Sequence, residues 1–177
     1  MTQQKKSLLT RFIIGFVILV GLDQWTKGLA VRFLKDQEPV VVLKGVFEFF
    51  YSENRGAAFG MLQGRQVFFF LIAVAVLAAV FYLMSKMPAD QKYRPLAVCL
   101  MLVVSGAVGN MIDRVTQQYV VDFLYFSLID FPIFNVADCY VTIGAALLVI
   151  LLTFYYKEED LSCFSFKRAG EQKEDQD

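Results

Sequence analysis

The sequence predicts a mostly α-helical membrane protein, with four transmembrane helices and a small extracytoplasmic β-platform with loops. Hydrophobic residues make up 57% of the 177-residue chain and charged residues only 19%, whereas about a quarter of a soluble domain is charged. The apolar residues are concentrated in four long runs, and the connections between these runs contain short β-branched and aromatic segments. The bilayer is therefore the expected solvent, and the chain length fits one domain.

Four segments have roughly the apolar length that a hydrocarbon core of about 30 Å requires. They are residues 12–31, 67–84, 96–112 and 137–156. Asp23 and Lys27 interrupt the second half of the first segment, and the third and fourth are long enough only with their polar flanks. The first segment also resembles a secretory signal, but its charged second half and the three further spans favour a transmembrane helix.

The positive-inside rule predicts that both termini lie in the cytoplasm. This orientation places ten basic residues inside: Lys5, Lys6, Arg11, Lys86, Lys92, Arg94, Lys157, Lys167, Arg168 and Lys173. It leaves five outside: Arg32, Lys35, Lys44, Arg55 and Arg65. We predict one four-helix membrane domain over residues 1–157. Residues 158–177 are charged and polar, and are predicted to be a disordered cytoplasmic tail.

The two connections on the outer side are predicted to contain strands. Residues 38–51 have β-branched and aromatic runs on either side of Lys44-Gly45, a pattern typical of a strand pair joined by a turn. Residues 119–129 are similarly strand-like. We expect these segments to form a small sheet that lies against the outer membrane surface and covers the ends of the helices.

Residue types that the chain lacks exclude several kinds of site. There is no histidine, which excludes His-dependent catalytic triads, His-ligated zinc and the Ser–His dyads of intramembrane serine proteases. Cys99, Cys139 and Cys163 form no CxxC pair, and a disulfide or thiolate metal site is not expected. The net charge of zero gives no electrostatic basis for binding nucleic acid. We therefore expect no metal, no cofactor and no nucleic-acid partner.

The polar residues of the predicted spans converge on the extracytoplasmic end of the bundle. Ionisable groups within or at the edge of a membrane are costly, so each needs a partner or a function. Those at this end are Asp23, Lys27, Asn54, Arg55, Asn110, Asp113, Arg114, Asp122, Asn135 and Asp138. Because the convergence follows from topology alone, it predicts a functional site at this face.

Several of these residues have a structural interpretation beside the functional one. Asp23 and Lys27 are spaced i,i+4, so they can pair on one helix face, and a purely structural pair is as consistent with that spacing as a functional one. Asp113 and Arg114 share a helix face with Asn110, and we favour a bracing role for them because an arginine there needs a carboxylate partner. The glycine-containing stretch at 54–60 fits either a loop that binds a peptide or a tight turn into the second helix.

Asp122 and Asp138 are the strongest candidates for catalysis. Asp122 lies in the apolar run 120–124 without a local cation, and Asp138 follows Asn135 by three residues at the start of the fourth helix. An acid at a helix N-terminus gains about 0.3–1 kcal/mol from the helix dipole, which accounts for Asp138 but not for Asp122. Two carboxylates at the membrane edge, without histidine or metal ligands, favour a pair that shares one proton.

Two functional classes other than an enzyme with paired catalytic carboxyl groups also use intramembrane polar residues. A proton-coupled carrier would relay protons through intramembrane acids, but the chain has no internal repeat and its acids lie at one end rather than at the midplane. A structural membrane subunit would not need so many polar groups at one face. A hydrolysis assay distinguishes an enzyme that uses the two carboxyl groups for catalysis from both.

The sequence closely resembles the bacterial lipoprotein signal peptidases, also called signal peptidase II. The matching blocks are 23–27 (DQWTK), 54–60 (NRGAAFG), 109–114 (GNMIDR), 121–123 (VDF) and 134–138 (FNVAD). Their order and separation follow the family across the whole chain apart from the termini.

The resemblance implies an aspartic endopeptidase of the bacterial inner membrane, with its active site at the extracytoplasmic face. It would remove signal peptides from prolipoproteins, cleaving just before a cysteine that already carries a diacylglyceryl group. Asp122 and Asp138 would be the catalytic pair. The residues implied to bind substrate or support the site are Asp23, Asn54, Arg55, Asn110, Asp113, Arg114 and Asn135. Implied partners are diacylglyceryl-prolipoproteins, membrane lipids and the cyclic peptide antibiotic globomycin, an inhibitor.

Overall fold

Four long helices dominate the computed structural model, which describes residues 2–56 and 66–164. They are α1 (Gln3–Leu34), α2 (Gln66–Lys86), α3 (Arg94–Gln117) and α4 (Val136–Ile150). A wider π-helical turn, Leu151–Tyr155, continues α4. Within the described part of the chain, four helical segments are long and apolar enough to cross a membrane. Together with the sheet described below, this confirms the predicted fold class.

The first helix is much longer than the predicted span of residues 12–31. It has 32 residues, which corresponds to about 48 Å at 1.5 Å per residue. Thr2 caps its start by accepting a hydrogen bond from the Lys5 amide at 3.3 Å. Its polar first turns therefore extend beyond a hydrocarbon core of about 30 Å.

Three antiparallel strands form a small sheet in the order β1 (Val40–Leu43), β2 (Phe47–Asn54) and β3 (Val120–Tyr125). The turn between β1 and β2 contains Gly45 with φ of +71°, a backbone conformation that favours glycine. Both predicted strand regions are thus present. The register of β2 on β3 places Ser52 opposite Asp122.

Side-chain alternation along β3 fixes where Asp122 lies. Val121 and Phe123 are buried with Ala30 of α1 in one apolar cluster. Because successive side chains of a strand point to opposite faces, the side chain of Asp122 lies on the other face from this cluster. The sheet therefore packs on the end of α1 through Val121 and Phe123 and presents the Asp122 carboxylate on its opposite face.

Helix α3 lies at the centre of the bundle and packs against α1, α2 and α4. Two glycines permit its close approach to the neighbouring helices. A Cβ atom at Gly109 would collide with the Asp23 carboxylate of α1, and one at Gly106 would collide with the Ala137 carbonyl of α4. The outward faces carry large apolar side chains such as Phe81 and Phe154, as expected of surfaces that contact lipid.

The start of the predicted disordered tail is folded. Residues Glu158–Leu161 form a short helix, α5, and Asp160 pairs with Lys92 at 2.6 Å. The Tyr93 hydroxyl donates to the Asp160 carbonyl at 2.8 Å, and Phe164 packs against the apolar core at this end of the bundle. Residues 158–164 thus differ from the predicted disorder because they find partners before α3. Residues 165–177 lie outside the described part of the chain.

Candidate active site

A capping box at the start of α4 fixes Asp138. The Asn135 side chain accepts a hydrogen bond from the Asp138 amide at 3.0 Å, and the Asp138 carboxylate accepts one from the Asn135 amide at 3.1 Å. This reciprocal arrangement satisfies two backbone donors of the first turn. It accounts for the three-residue spacing of Asn135 and Asp138 in the sequence.

Asn135 also connects Asp138 to Asp122. It is fully buried, and its Nδ2 atom donates to Asp122 Oδ1 at 2.6 Å and to Asn110 Oδ1 at 3.1 Å. The Nδ2 atom of Asn110 in turn donates to Asp138 Oδ1 at 2.7 Å. The two predicted catalytic carboxylates therefore belong to one hydrogen-bond network, in which each accepts from an asparagine amide.

The second oxygen of Asp122 is bound from the sheet. Asn54, the last residue of β2, donates from Nδ2 to Asp122 Oδ2 at 2.8 Å. The Gly56 amide donates to Asn54 Oδ1 at 3.0 Å, which orients the Asn54 amide group toward the carboxylate. Asp122 thus has one amide donor on each oxygen and is only 2% exposed.

Burial raises the pKa of Asp122 to about 7, and the nearby charge of Asp138 raises it as well. The hydrogen bonds from Asn54 and Asn135 and the charge of Lys27 oppose this shift. A carboxyl group whose pKa is raised toward neutral pH is suited to general acid–base chemistry.

A buried ion cluster adjoins the asparagine network. The Lys27 ammonium lies 2.9 Å from Asp23 Oδ2 and 3.0 Å from Asp113 Oδ2, and all three side chains are buried. Lys27 also donates to Asn110 Oδ1 at 2.9 Å. Because Asn110 Oδ1 accepts from both Lys27 and Asn135, the Nδ2 atom of Asn110 is left to face Asp138.

The two carboxylates of the ion cluster hold the backbone beside the two candidate catalytic residues. Asp113 Oδ2 accepts from the Val121 amide at 3.1 Å, next to Asp122. Asp23 Oδ1 accepts from the Ala137 amide at 2.9 Å, next to Asp138. These contacts are the ones through which Asp113 would exert the bracing role predicted for it, and Asp23 makes an equivalent contact.

Gln24 and the full role of Lys27 were not predicted from the sequence. The Gln24 Nε2 atom donates to Asp113 Oδ1 at 3.0 Å and to the Gly109 carbonyl at 3.1 Å. The sequence signal was the position of both residues in the DQWTK block beside Asp23. Their contacts with α3, however, depend on how closely α1 and α3 pack.

The two arginines of the predicted site have different positions. Arg114 lies with its guanidinium 4.4 Å from the centre of the Phe69 ring and donates to the Asn110 carbonyl at 3.4 Å. Asp113 pairs with Lys27 instead of with Arg114. Arg55 lies outside the network: its side chain is 62% exposed and pairs with Glu53 at 3.2 Å.

An apolar groove of about 620 Å³ leads to Asp138 between α2, α3 and α4. Asn110, Arg114 and Asp138 line its polar part, whereas Phe70, Val103 and others make its walls apolar. Ligand sites commonly combine apolar walls with a few placed polar groups. Within residues 2–56 and 66–164, no group of three or more acidic or cysteine side chains is arranged to hold a metal ion.

Comparison with known families decides the class to which this site belongs. The family model described as signal peptidase (SPase) II matches residues 15–154, which include all nine predicted site residues. The chain belongs to the signal peptidase II family. It is therefore a membrane peptidase, and the resemblance seen in the five sequence blocks is confirmed.

Individual relatives are similar over most of their length. The lipoprotein signal peptidase of Streptococcus thermophilus strain CNRZ 1066 is 43% identical over 148 residues, covering 83% of this chain and 93% of the relative. That of Clostridium tetani strain Massachusetts / E88 is also 43% identical, over 159 residues, covering 86% of this chain and 99% of the relative.

Two solved bacterial membrane enzyme structures, both obtained by the in meso method, share the fold. The one at 2.3 Å resolution has a TM-score of 0.74 and 35% identity, covering 84% of this chain and 93% of the other. The one at 1.9 Å resolution has a TM-score of 0.71 and 34% identity, covering 83% and 95%. Helices and sheet are thus arranged as in these enzymes.

Proposed function

We propose that the chain is an aspartic endopeptidase that cleaves diacylglyceryl-modified prolipoproteins just before the lipidated cysteine. Family membership supports the removal of signal peptides from prolipoproteins. The observation that carries the aspartic mechanism is that Asp122 and Asp138 are bound into one buried network through Asn135 and Asn110. The apolar groove beside Asp138 provides room for a lipidated peptide.

The proposed chemistry requires one proton shared between the two carboxyl groups, which resist ionising together in a low-dielectric site. The ionised member removes a proton from a water molecule as that water attacks the scissile carbonyl. The protonated member donates a hydrogen bond to the carbonyl oxygen, and a tetrahedral diol forms. The proton then passes to the leaving amine. The titration belongs to the pair, so neither Asp122 nor Asp138 is assigned a fixed role as acid or base.

We propose that substrate enters from the membrane, because its acyl chains must stay in the bilayer while its scissile bond reaches the carboxylates. The sheet and the following turn expose an apolar surface that suits contact with lipid. It includes Val40, Val41, Val42, Leu43, Phe50, Leu128 and Ile129. The groove between α2, α3 and α4 would receive the peptide beside this surface.

Purified protein is expected to cleave a diacylglyceryl-modified precursor at least tenfold faster than the same peptide without lipid. The acyl chains supply apolar contact area that the unmodified peptide lacks, and each buried methylene contributes about 0.8 kcal/mol. The measurement is product formation by mass spectrometry, which also locates the cleaved bond. Equal turnover of both peptides contradicts entry from the membrane, and absence of cleavage of either contradicts the peptidase assignment. Inhibition of this reaction by globomycin is also expected, as the family resemblance implies.

We propose that the protein lies in the bacterial inner membrane with both termini in the cytoplasm and the site on the outer face. A Gln91→Cys variant is expected to react with an impermeant thiol reagent only after the cells are permeabilised, because the basic residues around it face the cytoplasm. A Glu38→Cys variant is expected to react in intact cells. Both positions are exposed, and both variants need a background in which Cys99, Cys139 and Cys163 are replaced. The reverse labelling pattern would invert the topology.

A further inference from the structure

A second cleft, of about 700 Å³, lies at the opposite end of the bundle from Asp122 and Asp138. One wall is the N-terminal part of α1, and the other is the start of α3 with the turn before it. On α1 the lining residues Gln4, Leu8 and Arg11 recur at helical spacing, and on α3 Arg94 and Val98 do the same. The cleft is therefore a groove between two helix faces.

The mouth of the cleft is basic. Arg11 and Arg94 line it from opposite walls and are both exposed. Among the residues that the structure describes, neither guanidinium has a hydrogen bond or an ion pair. The lining contains one acid, Asp90, whose Oδ1 atom already accepts the Lys92 amide at 2.8 Å. Two arginines against one carboxylate leave the mouth with a net positive charge.

The floor of the cleft is apolar. Leu8 and Phe12 of α1 face Ala97, Val98 and Met101 of α3. Phe12 follows Arg11 on α1, and Ala97, Val98 and Met101 follow Arg94 on α3, whereas Leu8 lies one turn before Arg11. Both helices are long and apolar enough to cross a membrane, so the floor extends from the arginines toward the lipid-facing surface. A ligand that fills the whole cleft must carry an anionic head and an apolar chain.

We propose that this cleft binds the phosphate headgroup of an anionic phospholipid, with an acyl chain along the apolar floor. Basic pockets between transmembrane helices on the cytoplasmic side are suited to phospholipid headgroups. Arginine is especially suited because its planar guanidinium binds phosphate through two parallel hydrogen bonds. The lipid would contact Arg11 and Arg94 together and so join α1 to α3.

The signal peptide of the substrate is not the occupant. The start of a signal peptide is positively charged, so Arg11 and Arg94 would repel it. The groove that reaches Asp138 is formed by α2, α3 and α4, whereas this cleft is formed by α1 and α3. The proposal is therefore independent of the peptidase mechanism.

The test measures lipid binding by the full-length protein in detergent, using native mass spectrometry with added phosphatidylglycerol. An Arg11→Gln/Arg94→Gln variant is expected to bind phosphatidylglycerol roughly 30-fold more weakly than the wild type. This loss corresponds to about 2 kcal/mol, or about 1 kcal/mol for each arginine that contacts the anionic headgroup. The matched control is Lys6→Gln/Lys86→Gln, which removes the same charge from exposed positions at the same end but outside the cleft. It is expected to bind within about twofold of the wild type.

Three comparisons decide the outcome. Wild-type protein that binds phosphatidylcholine as tightly as phosphatidylglycerol overturns the proposal without reference to any variant. Equal losses in the cleft variant and the lysine control also overturn it, because the effect would then be general electrostatic attraction. Competition by inorganic phosphate as effective as that by phosphatidylglycerol would show a site for a soluble anion, which again overturns the assignment to a lipid. Thermal melts without lipid confirm that each variant is folded.

Discussion

Replacing either Asp122 or Asp138 with asparagine is expected to lower cleavage of the lipidated precursor by about 10²–10⁴-fold, the usual contribution of general acid–base catalysis. Asparagine is nearly isosteric with aspartate but cannot take and return a proton. In the proposed mechanism the two carboxyl groups share one proton, so the loss of either member should disable the pair, and the double variant should be little worse than each single one. The measurement is the initial rate of cleavage by purified variants.

Asp36→Asn is the matched control for this experiment. Asp36 is an exposed aspartate just after α1, at the same end of the bundle as the site. Its left-handed backbone conformation, with φ of +59°, is one that asparagine readily adopts. The control should retain wild-type turnover. Normal turnover by a well-folded Asp122→Asn or Asp138→Asn protein would end the aspartic-peptidase assignment.

Replacing Lys27 with methionine is expected to destabilise the protein by about 3–5 kcal/mol, the usual cost of breaking a buried ion pair from one side. Methionine fills a similar volume but leaves the carboxylates of Asp23 and Asp113 buried without their cation. It also removes a hydrogen bond to Asn110, so that Asn110 loses part of what orients it toward Asp138. Activity should therefore fall together with thermal stability.

Lys35→Met provides the comparison for Lys27→Met. Lys35 pairs with Glu53 at 3.0 Å on the surface, where an ion pair contributes about 0–1 kcal/mol. Thermal melts of the two variants should therefore differ widely. Adding Asp113→Asn to Lys27→Met should recover part of the lost stability, because it removes one uncompensated charge. Equal melting temperatures for Lys27→Met and Lys35→Met would contradict the buried ion cluster.

The helices and the end of the bundle that holds the site were predictable because membranes impose simple rules. Apolar runs must span the bilayer, and polar groups within them must find partners. Asp122 was conspicuous because it interrupts an apolar run. Asn135 and Asp138 are three residues apart, which is the spacing of the capping box that the structure shows. Local spacing likewise predicted the pairing of Asp23 with Lys27.

Contacts between distant segments were not predictable in the same way. The predicted supporting role of Arg55 stays a prediction, since its side chain pairs with Glu53 of β2 rather than with the buried network. Residues 158–164 are polar enough to favour disorder, yet Asp160 is held by Lys92. The composition of residues 158–164 is described correctly, but their partner Lys92 lies in another part of the chain. Arg55, by contrast, pairs with a residue only two positions before it.

The sequence by itself determined the four spans, the two strand regions and the set of residues at one end of the bundle, because these depend on hydropathy, spacing and charge. Only the tertiary structure decided how these residues are connected. Lys27 joins Asp23 of α1 to Asp113 of α3, and Asn135 joins Asp138 to Asp122. Such connections depend on helices approaching within hydrogen-bond distance, which the glycines of α3 permit. The sequence shows which groups can form hydrogen bonds and ion pairs, but it does not give the distances between them.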